Sequence, residues 1–300
     1  MNYFKELLQN HSVNVSRFYH SQSEAHEDPK EECTHRYSLN FIEQGNFKIH
    51  IGKKSWLIDE RNVFVAHPAM VFRCKHFEEI PKDVCFSIGF KENFVDDIQN
   101  TEGFDIKQKA PVVFRTNRLS YLQLQLSRLI KNGGDRIALE TLAGDLFAAI
   151  GDKKKNYRAY KTKQLNWYAE RIIAARELIK THYAEKHSLE SLSNFVGMSR
   201  FHFTRIFKEL TGTPPHQLLL NIRLSNAAVQ LLDGISVTNA CFACGFANLS
   251  HFIRLFQRTF GVTPSQFQKQ EAKTDIKRVM KYRNKRYCQL NFLKTTRPTK

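Results

Sequence analysis

Three hundred residues with 42% hydrophobic, 12% aromatic and 25% charged content are enough to bury a sizeable core, and by length they suggest two domains. Such a composition excludes a collagen, a disordered tail and a disulfide miniprotein. The net charge of +17 is unevenly placed: residues 1–150 hold 19 basic and 20 acidic side chains, residues 151–300 hold 27 and 9. A near-neutral half joined to a strongly basic half is the pattern of a regulatory or assembly domain on a polyanion-binding domain, although a membrane surface attracts the same charge. The opening MNYFKELLQN has no charged stretch followed by an apolar one, and no apolar run approaches the ~18 residues of a bilayer span, so a cytoplasmic location is expected. Six cysteines (Cys33, Cys74, Cys85, Cys241, Cys244 and Cys288) are too few for a disulfide scaffold and suit a reducing compartment.

Between residues 34 and 110 the pattern is strand-like. Phe47, Ile49 and Ile51 alternate with Lys48 and His50, residues 63–65 form a short apolar run, and Phe86, Ile88 and Phe90 alternate again. Gly45-Asn46, Gly52-Lys53, Asp59-Glu60 and His67-Pro68 punctuate these runs, which predicts a small antiparallel barrel or sandwich. Residues 116–131 and 135–150 read as amphipathic helices, the first with a stripe of Leu119, Leu122, Leu126, Leu129 and Ile130 suited to closing the barrel or pairing two subunits. Residues 151–164, GDKKKNYRAYKTKQ, are basic and aperiodic, the composition of an exposed linker.

From 165 to 270 the pattern is helical. Ser188 and Ser236 are placed to N-cap helices, Gly212 and Gly261 to stop them, and Thr213-Pro214 and Thr263-Pro264 to start the next. A shift of 49 residues aligns HFTRIFKELTGTPP (202–215) with HFIRLFQRTFGVTP (251–264) at six identities, and a shift of 48 pairs Ser188 with Ser236, Val196 with Cys244 and Gly197 with Gly245. Each copy is a short helix, a tight turn at Gly197 or Gly245, and a second helix starting near Ser199 or Asn248: the shape of a helix-turn-helix. In the first copy Phe203, Ile206, Phe207 and Leu210 take the inward spacing, which leaves Arg200, Phe201, Thr204, Arg205 and Lys208 outward. In the second Phe252, Leu255, Phe256 and Thr259 go inward and Leu249, Ser250, Ile253, Arg254 and Gln257 outward. Arginine, hydroxyl and apolar groups on one face suit the DNA major groove, where they meet guanine edges, either base type and the thymine methyl.

Residues 173–270, through SLESLSNFVGMSRFHFTRIFKELTGTPPHQLLLNIRLSNAAVQLL and SVTNACFACGFANLSHFIRLFQRTFGVTPSQF, resemble the DNA-binding domain of the AraC/XylS family of bacterial transcriptional regulators. The resemblance covers about a third of the chain. It implies two helix-turn-helix units joined by a long helix, here 215–232, that place recognition helices in successive major grooves about 34 Å apart. Ser193 and Cys241 stand where the family commonly has alanine, and Gln268 where a terminal arginine is common, which puts a phosphate contact in question. By layout the N-terminal half resembles the cupin-like effector and dimerisation domain of many members.

The resulting expectation is a two-domain chain. Residues 1–150 form an antiparallel β, cupin-like effector or dimerisation domain with helices, and 151–164 a basic linker. Residues 165–270 form an all-α double helix-turn-helix domain, and 271–300 a tail with ten Lys/Arg that is either an arm on DNA or a solubilising extension. Its function is read as sequence-specific transcription regulation near the nucleoid, not enzymatic, without cofactor or metal. The implied partners are double-stranded DNA, a small-molecule effector, RNA polymerase and a second copy of the chain, with no membrane. The DNA-binding residues are assigned as Ser199, Arg200, Phe201, His202, Thr204, Arg205 and Lys208, with Asn248, Leu249, Ser250, His251, Ile253, Arg254 and Gln257. His202 and His251 are open to phosphate contact or to capping and packing, and Arg223 to a structural or a DNA-facing role.

Cys241-x-x-Cys244 lacks a second pair and reads as core packing rather than a zinc or redox site. Arg36, Trp56, His67 and Arg73 are compatible with a small-molecule pocket but read more simply as surface or packing residues, and Cys74 and Cys85 as inert thiols. A DNA-targeted repair enzyme using the same module is the alternative. It would need a Pro-Cys-His-Arg-like nucleophile segment and clustered zinc-binding cysteines, neither of which the sequence has.

Overall fold

The computed structural model describes residues 3–19, 31–76, 83–102, 105–151 and 159–271; the basic tail assigned to 271–300 lies outside them beyond Glu271, as do residues 152–158 of the linker. Two compact units divide between Ala159 and Tyr160.

In the first unit, strands β1 (Tyr3–Gln9), β2 (Val13–Tyr19), β9 (Val84–Phe90), β4 (Tyr37–Gln44), β7 (Asn62–Ala66) and β10 (Val112–Phe114) form one antiparallel sheet in that order. β3 (Glu32–Cys33), β8 (Val71–His76), β5 (Phe47–Ile51) and β6 (Lys54–Ile58) form a second. The first strand pair precedes the 34–110 region in which the sequence reading sought strands. Register sets the two faces of the larger sheet. Tyr37 lies opposite Phe90, Leu39 opposite Ile88 and Phe41 opposite Phe86, all buried together with Val13 and Val15. Helices α1 (Glu92–Glu102), α2 (Asn117–Lys131) and α3 (Arg136–Ala149) belong to the same unit; α3 packs on β2, and Phe147 meets Phe90 edge-on at 5.2 Å. The alternate residues turn the other way. Phe64 and Ala66 from the larger sheet join Phe47, Ile49, Ile58 and Phe72 from the smaller in one buried cluster. Beside them Ser87 donates to Asn40 Oδ1 at 2.7 Å and Asn40 donates to Ser38 at 3.0 Å.

Of the two roles expected for the leucine stripe, closing the unit is the one that three of its residues take, while Leu129 and Ile130 stay half-buried. Leu119, Leu122 and Leu126 are buried within this unit, because α2 packs against α3. Arg115, just after β10, reaches the Ile42 carbonyl at 3.1 Å and the Gln123 side chain, tying the sheet to α2.

The second unit contains helices α4 (Thr162–Thr181), α5 (Leu189–Phe195), α6 (Arg200–Thr211), α7 (Pro215–Leu232), α8 (Val237–Ala243), α9 (Leu249–Phe260) and α10 (Pro264–Glu271). Here α4 takes in 162–164, which the sequence reading gave to the linker. Pro215, not Pro214, opens α7, in keeping with its alignment to Pro264. No helix among the described residues is long and apolar enough to cross a membrane.

Since Leu126 is fully buried, Leu126→Ala should lower stability by about 2–5 kcal/mol. Urea unfolding followed by circular dichroism checks this, and an unchanged midpoint would return the stripe to a surface role.

Candidate nucleic-acid interface

Each copy of the repeat builds its second helix the same way. Ser199 caps α6 by accepting from the His202 N–H at 3.4 Å, and Asn248 caps α9 by accepting from His251 at 2.8 Å. Both helices stop at a left-handed glycine, Gly212 at φ 81° and Gly261 at φ 80°, a conformation that costs other residues a Cβ clash. Ser188 and Ser236 cap α5 and α8 as expected, Ser188 in a reciprocal capping box with Ser191.

Packing decides the faces. Phe203, Ile206, Phe207 and Leu210 are buried on α6. On α9, Phe252, Phe256 and Phe260 continue into a run of rings that takes in Phe246 and Phe267 at centroid spacings of 4.3–5.6 Å. The helix between them, α7, presents Leu224, Ala227, Ala228 and Leu231 to this cluster. The two units of the repeat are also locked at the end of α4. Arg223 of α7 donates to the Tyr183 and Glu185 carbonyls, each at 2.7 Å, which gives it a structural role. Gly245 lies so close that a Cβ would stand 2.3 Å from the Ala184 carbonyl oxygen.

The assigned DNA-binding residues separate into three groups. Arg200, Phe201, Arg205 and Lys208 on α6, and Ser250, His251, Arg254 and Gln257 on α9, are exposed, Phe201 by 82%. Ser199 and Asn248 spend their side-chain oxygens on the caps. Leu249 and Ile253 depart from the outward reading: both are half-buried against the α7–α9 core, because the ring ladder on α9 is wide enough to draw in its flanking aliphatics. On α6, Thr204 is half-buried and donates to the Arg200 carbonyl at 2.8 Å. His202 places Nε2 3.1 Å from the Tyr168 hydroxyl with the rings edge-on at 85°. Tyr168, Tyr160 and Glu209, which contact this face, were absent from the sequence reading, and contacts 34 to 49 residues apart leave no local signal.

Residues 192–270 match the helix-turn-helix domain family. The uncharacterized HTH-type transcriptional regulator YbfI of Bacillus subtilis (strain 168) is 24% identical over 220 residues, which cover 72% of this chain and 78% of that one. The HTH-type transcriptional activator RhaS of Escherichia fergusonii is 35% identical over 91 residues, 30% of this chain and 33% of that one. A crystal structure of a probable AraC family transcriptional regulator from Rhodopseudomonas palustris CGA009 is 28% identical across 34% of this chain and 97% of that one, with a TM-score of 0.32. Residues 192–270 are a helix-turn-helix domain similar to those of these transcription regulators.

The three residues that the sequence comparison singled out as departures from the resembled pattern have local explanations. Ser193 is buried and donates to the Glu190 carbonyl at 3.1 Å, so its hydroxyl is satisfied. Gln268 donates to the Leu231 and Ile235 carbonyls at 3.3 and 3.0 Å, holding the end of α7. Cys241 and Cys244 are buried in the core beneath α9, where desolvation raises both thiols, Cys244 to about 12. Desolvation likewise pushes Cys85 up to about 12. Among the described residues no group of three or more His, Cys, Asp or Glu is placed to hold a metal.

Of the four pocket candidates in the first unit, Arg36 crosses over Gly89 and Trp56 packs half-buried on the inter-sheet cluster. His67 bonds the Pro68 carbonyl, and Arg73 pairs with the exposed Glu31.

Two measurements follow from these contacts. Gly245→Ala should destabilise more than Gly197→Ala, whose φ is 65° but whose Cβ would meet nothing within 4 Å and which should cost about 1–2 kcal/mol; equal thermal shifts would remove the Ala184 contact as the cause. At pH 8 a thiol reagent should label the exposed Cys33 in the native chain but reach Cys241 and Cys244 only in denaturant, and rapid native labelling of either would contradict the closed core.

Proposed function

We propose that the chain is a sequence-specific transcription regulator whose α6 and α9 enter successive major grooves of DNA. The carrying observation is the duplicated geometry. Two capped helices present Arg200, Arg205 and Lys208 on one, and Ser250, Arg254 and Gln257 on the other, and each packs within the unit built around α7. With 18 residues, α7 is about 27 Å long, comparable to the ~34 Å between grooves on one side of B-DNA. Arginine pairs bidentately with guanine, while hydroxyl and amide groups serve other edges. Lys208 and the N-terminal turns of both helices suit phosphates. The exposed Phe201 matches the apolar contact that a thymine methyl offers.

The first unit is read as a cupin-like effector and self-association domain. Ser38, Asn40 and Ser87 lie on the sheet face turned toward the second sheet, where a small polar molecule would find hydrogen-bond partners. Self-association would use a surface other than the Leu119–Leu126 side of α2, and RNA polymerase is a further partner on this reading. The relatives named above are transcription regulators, which favours this reading over a DNA-targeted repair enzyme.

Selection of duplexes by the full chain from a random pool tests the proposal. It should enrich a bipartite site with half-sites about 10 bp apart. Arg254→Ala should then lose about 1–3 kcal/mol on that duplex, relax the base preference in one half-site, and change binding to random DNA much less. No enrichment, or equal losses on both duplexes, would reduce the helices to phosphate binding.

A further inference from the structure

The face of α6 that carries Arg205 is not open to solvent along its whole length. His202, Arg205 and Glu209 follow one another at helical spacing, and two tyrosines of the same unit approach this stripe. Tyr168 engages His202 as described. Tyr160 lays its ring 5.0 Å from that of Tyr168 and donates its hydroxyl to Glu209 Oε2 at 2.7 Å. The same carboxylate oxygen stands 4.0 Å from Arg205 Nη1, too long for a hydrogen bond. The Arg205 side chain is 53% exposed and that of Glu209 19%.

Two donors therefore compete for one carboxylate. A phenol O–H on a carboxylate is a charge-assisted bond and a strong one, and burial together with Glu209 raises the Tyr160 phenol, so that it keeps its proton. An arginine four residues before a glutamate is the less favourable order for a helical ion pair. Were Arg205 to close on Glu209 instead, its planar fork would be occupied and unable to meet a guanine edge bidentately.

We infer that Tyr160 is a positioning residue for DNA reading: by holding Glu209 it keeps the Arg205 guanidinium from closing into a hydrogen-bonded pair on its own helix and so available to a base. The inference rests on the function proposed above. It makes Glu209, the one carboxylate of α6, an internal competitor for Arg205 that the tyrosine restrains.

Full-length variants titrated against the selected duplex test it. Tyr160→Phe keeps the ring on Tyr168 and removes only the hydroxyl. It should weaken specific binding by about 3- to 10-fold, the scale of one net hydrogen bond, and relax preference at the base pair sensitive to Arg205→Ala. Adding Glu209→Gln to Tyr160→Phe should restore both affinity and preference, because no carboxylate is left to capture the arginine. In an Arg205→Ala background Tyr160→Phe should add nothing. Unfolding midpoints of the variants identify any general loss of structure.

A Tyr160→Phe chain that binds like the parent, or one whose loss survives Glu209→Gln or appears equally without Arg205, would overturn the inference and leave the proposed function standing. If the parent selects no duplex, the proposed function itself fails. If Arg205→Ala binds normally while Arg254→Ala does not, Arg205 reads no base and the inference falls with the α9 reading intact.

Discussion

Helices α5 and α8 have seven residues each, and a helix of that length is not stable alone in water, because nucleation costs more than so few hydrogen bonds return. Both survive through burial within a unit organised around α7. That helix buries Pro215, Leu218, Leu219, Ile222, Leu224, Ala227, Ala228 and Leu231, spread around its circumference rather than on one stripe. The cap serines, the left-handed glycines and the ring ladder of α9 act on this support. Each sets where a short helix starts, stops or rests, and none of them replaces the buried surface.

The end of α4 shows how the support is transmitted. Arg223 spends its guanidinium on two backbone carbonyls of the 183–185 turn, and Gly245 leaves no room for a side chain against the same turn. A polar clamp and a close backbone approach therefore hold the second helix-turn-helix against the segment that precedes the first. The carbonyls of a helix end need donors when no intrahelical partner remains, so an arginine that might have met DNA has a structural task instead.

Charge and burial divide the work differently in the two units. The basic excess lies in the second half of the sequence. Within the described part of that half, only some cations lie on the exposed face of α6 or α9. Others pack on rings or bond inside the unit: Arg171 lies over Trp167 at 3.6 Å, and Lys180 bonds Glu177 at 2.9 Å. Net charge thus points to a polyanion without naming the residues that touch it. In the first unit the covering helices take the apolar face of the larger sheet. The face turned to the smaller sheet keeps serine and asparagine beside the aromatic cluster.

Repeat, caps and stop signals were legible in the sequence by itself because they are local: Ser188, Ser236, Gly212 and Gly261 act within one turn of their own helix, and the inward spacing of Phe203, Ile206 and Phe207 follows from 3.6 residues per turn. The same holds for α2, α3 and the alternation in β5 and β9. Contacts between distant segments were decided only by the tertiary structure. The leucines of α2 suit either closing the barrel or pairing two subunits until α3 covers Leu119, Leu122 and Leu126. Leu249 and Ile253 read as outward until the width of the α9 core draws them in. Tyr160 and Tyr168 carry no mark that ties them to α6. Periodicity tells a residue which way it faces on its own helix, whereas what stands opposite that face depends on how the chain returns, and pairs such as Tyr160–Glu209, 49 residues apart, exist only once it has.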